Sequence, residues 1–90
     1  MNILWLASDR DCTIRLDCCN FDKATTVLCH FRMLGVSGIG MKSPAIIGAW
    51  GCSACHARVD SDKSDAVQLA FLKGVIRTQY QLIKEDVISW

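Results

Sequence analysis

The stretch Gly51-Cys52-Ser53-Ala54-Cys55-His56-Ala57-Arg58-Val59-Asp60 places two thiols three positions apart, with an imidazole directly after the second. No proline interrupts it, and its alanines and arginine favour helix, so we predict a short helix over residues 52–60. A spacing of three is close to one helical turn, which puts both sulfur atoms on one side of the first turn. Cys52 and Cys55 therefore make up half of a tetrahedral metal site.

The other half of that site is predicted upstream, in a loop over residues 12–19. Cys12 begins this loop and Cys19 ends it, with Cys18 as an alternative to Cys19. Four cysteines paired in this way favour a structural zinc ion held by Cys12, Cys19, Cys52 and Cys55. Three alternatives remain at this point: disulfide bonds, buried free thiols, and a zinc site in which His56 replaces one cysteine.

Size and composition limit the class of protein. The 90 residues allow one domain over residues 1–90, and a core this small commonly needs a metal or disulfides. No signal peptide is recognisable, so we expect a reducing cytosol, which favours thiolates over disulfides. No run of about 18 apolar residues occurs, so we expect no membrane span. The net charge of +1 leaves a nucleic-acid partner open.

The rest of the chain predicts a small α+β zinc domain. Residues 25–31 and 46–50 are rich in β-branched or apolar side chains and predict the two strands of a hairpin over about residues 25–50, closed by a glycine-rich loop over residues 35–44. Apolar residues at helical spacing predict an amphipathic C-terminal helix over about residues 65–84. Two cysteine pairs separated by a hairpin, the second pair opening a helix, follow the order of a treble clef.

The two histidines are the candidates for catalysis. His30 comes at the end of the first predicted strand, and His56 lies in the first turn of the helix that follows the second strand. In a strand–loop–strand–helix arrangement these two positions face each other. We therefore expect the imidazoles to share a cleft.

Three motifs together carry a family resemblance: Val27-Leu28-Cys29-His30-Phe31-Arg32, then Gly35-x2-Gly38-x-Gly40-x-Lys42-x-Pro44, then Cys52-x2-Cys55-His56. With them the chain resembles the small prophage-encoded nucleases of the YbcO type, which are similar to HNH endonucleases with a ββα-metal site on a treble clef. The resemblance implies that His30 is the general base and that His56 binds a catalytic divalent ion, magnesium or another. It also implies phosphate contacts from Arg32, Lys42 and Arg58.

The function that follows is an HNH-like, metal-dependent endonuclease that cleaves DNA phosphodiesters in the cytosol of a bacterial host, encoded by a phage or prophage. A second hypothesis is a catalytically inactive zinc-stabilised module that binds nucleic acid or a host protein. Cys29 favours it, because HNH enzymes usually carry an Asp or His ligand immediately before the base. Ala45 favours it too, because it stands where the family carries a carboxylate. Asp60 or a backbone carbonyl is a candidate second ligand that would restore the first hypothesis.

Overall fold

The computed structural model describes residues 7–32 and 46–88. Within them a 3₁₀ turn (Lys23–Thr25) leads into strand β1 (Val27–His30), which pairs antiparallel with β2 (Gly48–Gly51). Helix α1 (Ser53–Ser61) and the longer helix α2 (Asp65–Lys84) follow. The α+β class predicted from the sequence is confirmed. The predicted glycine-rich loop, with Lys42 and Ala45, lies outside the described residues.

Both strands differ from their predicted bounds at the ends. The first strand begins two residues later than predicted, because Asp22 caps the 3₁₀ turn: its side chain accepts from the Ala24 N–H, and the Thr25 hydroxyl donates to its carbonyl. In the pairing, His30 lies opposite Gly48 and Val27 opposite Gly51. The β-branched residues at 25 and 26 therefore serve the turn that precedes β1, where propensity alone indicated strand.

Helix α1 begins at the cysteine pair because Cys52 itself is the N-cap. Its Sγ accepts a hydrogen bond from the Cys55 N–H at 3.4 Å, in the position that a serine or aspartate oxygen usually takes. Cys55 and Val59 are the buried residues of the helix. Asp62 ends α1, and Ser64 then caps α2 by accepting from the Val67 N–H.

Helix α2 packs one face against β2 and the loop that carries Cys12. Its buried residues recur at spacings of one, three and four: Val67, Phe71, Gly74, Val75, Thr78 and Leu82. A buried hydrogen-bond network joins the three elements: the Thr13 hydroxyl lies 2.8 Å from that of Thr78 and donates to the Trp50 carbonyl at 3.0 Å. The loop backbone is bonded as well, since the Thr13 N–H donates to the same carbonyl. These bonds fix the cysteine loop against the sheet.

Gly74 is required where α2 crosses the cysteine loop. A Cβ at this position would lie 3.0 Å from Ile14 Cα and 3.1 Å from the Thr13 carbonyl oxygen, and both are backbone atoms. We expect Gly74→Ala to lower the free energy of unfolding by roughly 1–2 kcal/mol, because overpacking outweighs the gain of about 1 kcal/mol in helix propensity. Chemical denaturation checks this against the neighbouring exposed position, where Lys73→Ala should be more stable than Lys73→Gly. If alanine were more stable than glycine at position 74 as well as at position 73, the close crossing would be contradicted.

One ion pair ties the start of the described chain to the end of α2. Arg10 donates twice to the Glu85 carboxylate, and the Arg10 hydrogen bond lowers the pKa of Glu85 from 4.5 to about 2. A carboxylate with a depressed pKa stabilises the fold above about pH 4.5, and that contribution is lost as the pH falls towards 2. Because the pair is partly exposed, we expect Glu85→Gln to cost less than about 1 kcal/mol at pH 7, and we expect high salt to reduce that cost by screening the two charges. Thermal unfolding at pH 7 in low and in high salt tests this; a difference that salt leaves unchanged would exclude the charge effect.

Within residues 7–32 and 46–88, no helix combines the length and the apolar character that crossing a membrane requires.

Candidate functional site

Four cysteine side chains meet between the loop and the start of α1. The Sγ atoms of Cys12, Cys19, Cys52 and Cys55 all lie within 4.8 Å of one another, and all four residues are buried. Cys52 and Cys55 come from the first turn of α1, whereas Cys12 and Cys19 come from the loop that Thr13 fixes to the sheet. The arrangement could hold a metal ion such as zinc.

The dimensions of the cluster fit zinc. A tetrahedral zinc ion with Zn–S bonds of about 2.3 Å separates its sulfur ligands by about 3.8 Å. The Sγ atoms of Cys19 and Cys52 are 3.7 Å apart. The four thiols are buried and face one another, and none of the six cysteines forms a disulfide. Four sulfur donors in this arrangement are the set that a soft tetrahedral ion prefers. The disulfide alternative is not the arrangement that the structure adopts.

Backbone N–H groups around the cluster are placed to stabilise thiolates. Burial opposes ionisation of Cys52, but hydrogen bonds from the N–H groups of Cys55 and Asn20 outweigh it and lower its pKa from 9.0 to about 7. Burial raises the pKa of Cys19 to about 11, against a backbone hydrogen bond from Phe21. Burial likewise raises the pKa of Cys55. Metal binding at neutral pH must therefore displace protons from the cluster, which makes it dependent on pH.

The two remaining cysteines lie outside the cluster. Cys18, the alternative to Cys19 in the sequence, has its Sγ 3.8 Å from the Ala54 carbonyl oxygen. Cys29 is 2% exposed in β1, and burial raises its pKa to about 12, so it is a neutral thiol at physiological pH. Adjacent positions thus have different roles because the turn between Leu16 and Cys19 directs only the second thiol of the Cys18–Cys19 pair into the cluster.

A cleft of about 630 Å³ lies between β1, α1 and the start of α2. His30 from the end of β1 and His56 from the first turns of α1 both line it, as the order of elements predicts. Cys29 contributes to its wall, and Phe71 packs its ring edge-on against Phe31, with centroids 5.0 Å apart, beneath this end of the sheet. The cleft is open to solvent and brings both candidate catalytic histidines onto one surface.

His56 has a carboxylate beside it. Its Nε2 lies 3.5 Å from Oδ2 of Asp60, one helical turn further along α1; the His56 side chain is half-exposed and that of Asp60 is exposed, and both residues line the cleft. Residues four apart on a helix share a face, so this pair is a direct result of the local sequence. An imidazole nitrogen and a carboxylate oxygen at this separation could ligate one divalent cation. His56 does not join the four cysteines, so it is not a substitute zinc ligand among the described residues.

The positive side chains around the cleft differ in part from those predicted. Arg32 lines it, and Lys42 is outside the described residues. Arg58 does not line the cleft; it pairs with Asp62 at 3.4 Å and Asp17 at 3.9 Å on another face of α1. The reason is helical geometry, since position 58 is about 200° around the helix from position 56.

Lys63 and Gln68 line the cleft and were not among the predicted site residues. Lys63 follows α1 and is held there by donating to the Val59 carbonyl at 2.8 Å. Because α1 ends at Ser61, helical spacing from His56 does not reach Lys63, and no local pattern in the sequence indicated its place in the cleft. Gln68 belongs to the first turns of α2, and its approach depends on how the two helices cross.

Comparisons with known proteins identify the family. The family model described as "Putative nuclease YbcO" matches residues 2–87. The chain belongs to this family. "Putative nuclease YbcO" of Escherichia coli (strain K12) is 40% identical over 89 residues, covering 92% of each chain, and a protein with the same description from Enterobacteria phage 82 matches equally. The resemblance predicted from the sequence motifs is therefore confirmed, and the family includes a phage protein.

A solved structure supports the same family at the level of fold. A protein described as "a putative bacteriophage protein from Escherichia coli str. K-12 substr. MG1655" superposes with a TM-score of 0.76 at 35% sequence identity, covering 92% of this chain and 98% of the other. The YbcO-family chain and that protein therefore share one architecture along nearly their whole lengths.

Proposed function

We propose that this protein is an HNH-like, divalent-metal-dependent endonuclease that cleaves DNA phosphodiesters. The observation that carries the proposal is the cleft in which His30, from the end of β1, shares one surface with His56 and Asp60 of α1. The family descriptions as nucleases support the same reaction class. The combination of a base on a strand and ligands on the following helix matches the ββα-metal arrangement that the sequence resemblance implies.

The cysteine cluster has a separate, structural role in this proposal. A zinc ion on Cys12, Cys19, Cys52 and Cys55 joins the loop to α1 as a treble clef within a single domain over residues 1–90. Because Cys55 and His56 are adjacent on α1, the ion that fixes the first also fixes the backbone of the second. The zinc site therefore positions the cleft without taking part in chemistry.

Five side chains of the cleft have a defined task in this proposal. His30 accepts the proton of the attacking water, and Arg32 and Lys63 hold the negatively charged DNA backbone in register. His56 and Asp60 orient themselves through their mutual contact and would hold the divalent cation. When bound, that cation would polarise the scissile phosphate and stabilise the leaving oxygen. The pair offers two kinds of donor: the His56 imidazole suits nickel and zinc, and the Asp60 carboxylate suits magnesium and manganese.

Nicking of supercoiled plasmid by the zinc-loaded protein tests the proposal. We expect cleavage only with added magnesium, manganese or nickel, and we expect His56→Ala to need at least about 10-fold more of the cation, because loss of even a hydrogen-bond partner of a metal ligand typically costs 10–100-fold. Arg58→Ala is the matched control on α1, because Arg58 lies outside the cleft, and it should keep the wild-type cation requirement. Cleavage that continues after a chelator has removed the added cation would contradict a metal-dependent mechanism. An unchanged cation requirement in His56→Ala would contradict His56 as a ligand.

A second candidate function is a zinc-stabilised module that binds nucleic acid or a host protein without cleaving. Its support is that, among the described residues, the four cysteines are the only cluster of three or more metal-binding side chains. The position before His30 carries a buried neutral thiol, so it adds no cation ligand of the hard type. Binding of DNA with no nicking under any cation, in protein with full zinc content, would select this function.

We also propose that the protein acts in the cytosol of a bacterial host and is encoded by a phage or prophage. The support is the phage relative and the six reduced cysteines, which are usual for a reducing compartment.

A further inference from the structure

A second, smaller pocket lies on a surface distinct from the cleft. Its volume is about 240 Å³, and it lies between the segment leading into the cysteine loop, β2 and the C-terminal half of α2. Three arginines line it, Arg10, Arg15 and Arg77, around the side chain of Trp50. None of its lining residues also lines the cleft that holds the histidines.

Each of the three guanidinium groups is held in place by the protein. Arg77 donates to the Thr13 carbonyl at 2.8 Å, and Arg15 donates through Nε to the Cys12 carbonyl at 3.4 Å. Arg10 lies over the Trp50 ring, 4.8 Å from its centroid. A guanidinium has five N–H donors, so one bond to a carbonyl positions the group and leaves most of its donors for another acceptor.

The charge of this pocket is only partly compensated. Glu85 neutralises Arg10, and Asp11, which also lines the pocket, pairs with Lys23 at 3.5 Å. Arg15 and Arg77 have no carboxylate within 4.0 Å among residues 7–32 and 46–88. By contrast, Arg58 has two carboxylate partners. Two fixed and uncompensated guanidinium groups in one concave surface are suited to an oxyanion with several acceptor oxygens.

We propose that the pocket formed by Arg10, Arg15 and Arg77 binds a phosphate group of the DNA backbone, outside the cleft. The proposal rests on the proposed DNA substrate but not on cleavage. A phosphate held here fixes the register of the duplex on the protein without reading bases, and it adds contact surface to a chain whose net charge is only +1. The same chemistry would accept free inorganic phosphate, so the test separates the two sources.

The test measures how binding to a short labelled DNA duplex depends on salt, by fluorescence anisotropy in the absence of divalent cations. The slope of log K against log salt concentration is negative, and each lost phosphate contact reduces its magnitude by about 0.9. We expect Arg15→Gln and Arg77→Gln each to reduce the magnitude of the slope by about that amount, and the double variant by about twice as much. Arg77→Lys, which keeps the charge, should keep most of the slope.

Controls separate this site from the fold and from the cleft. Lys73→Gln removes an exposed charge of α2 that lines neither pocket, and its slope should equal that of the wild type within about 0.3. Zinc content and melting temperature report whether each variant is folded. His30→Ala should abolish cleavage and leave the slope intact, so a nuclease that fails and a phosphate site that fails give different results.

Three results would overturn the proposal: no binding of DNA by the wild type, an unchanged slope in the folded double variant, or a pocket that binds only free phosphate. The third is tested by measuring the melting temperature as inorganic phosphate is added. A rise that the double variant loses, with DNA binding unchanged, would assign the pocket to the free ion.

Discussion

Cys55→Ser is expected to remove zinc and unfold the protein. Zinc binding to a tetrathiolate site contributes on the order of 10 kcal/mol to folding, comparable with the whole stability of a domain of this size. Cys55 is fully buried within the main core, so Cys55→Ser leaves three thiols and a buried hydroxyl facing one another without the ion that would hold them together. We expect the zinc content to fall from one per chain to near zero and the cooperative thermal transition to disappear.

Cys18→Ser is the matched control for this experiment. Cys18 is adjacent to a cluster member in sequence, yet its thiol contacts the Ala54 carbonyl and lies outside the cluster. We expect it to keep one zinc per chain and to melt within a few degrees of the wild type, as surface changes usually do. Zinc measured by elemental analysis and unfolding followed by circular dichroism report both quantities. Zinc loss in Cys18→Ser, with retention in Cys19→Ser, would show that the loop has the other register.

His30→Ala is expected to lower the rate of DNA cleavage by about 10²- to 10⁴-fold while zinc content and melting temperature stay unchanged. The reason is that His30 provides the proton acceptor in the cleft, whereas the cation ligands and the fold depend on other residues. Single-turnover rates on supercoiled plasmid measure the chemical step directly.

Two readouts distinguish a lost base from a lost ligand. Added imidazole should restore part of the activity of His30→Ala, and a higher concentration of the divalent cation should not. For His56→Ala the opposite is expected. Cleavage by His30→Ala at the wild-type rate would remove His30 from the mechanism while leaving the zinc site and the fold as described.

The sequence alone predicted the parts of this protein that depend on short spacings. Cys52 and Cys55 are one helical turn apart, so their thiols converge wherever the helix lies, and the same geometry at a spacing of four brings Asp60 to His56. The α+β class and the family followed from local patterns and motifs of this kind. The predicted helices over residues 52–60 and 65–84 lie within one residue of α1 (Ser53–Ser61) and α2 (Asp65–Lys84). Helix ends could be predicted because caps and apolar periodicity depend on neighbouring residues only.

Only the tertiary structure decided which residues meet across long separations. It selected Cys19 over Cys18, because a turn fixed by Leu16 and anchored through Thr13 to Trp50 sets which thiol faces α1. It removed Arg58 from the cleft and brought in Gln68, and it collected Arg15 and Arg77 around one pocket, although more than sixty positions separate them. Such contacts depend on how the loop and α2 pack on the sheet. Close packing, as between Gly74 and the backbone of the cysteine loop, allows one arrangement of these elements and excludes shifted ones.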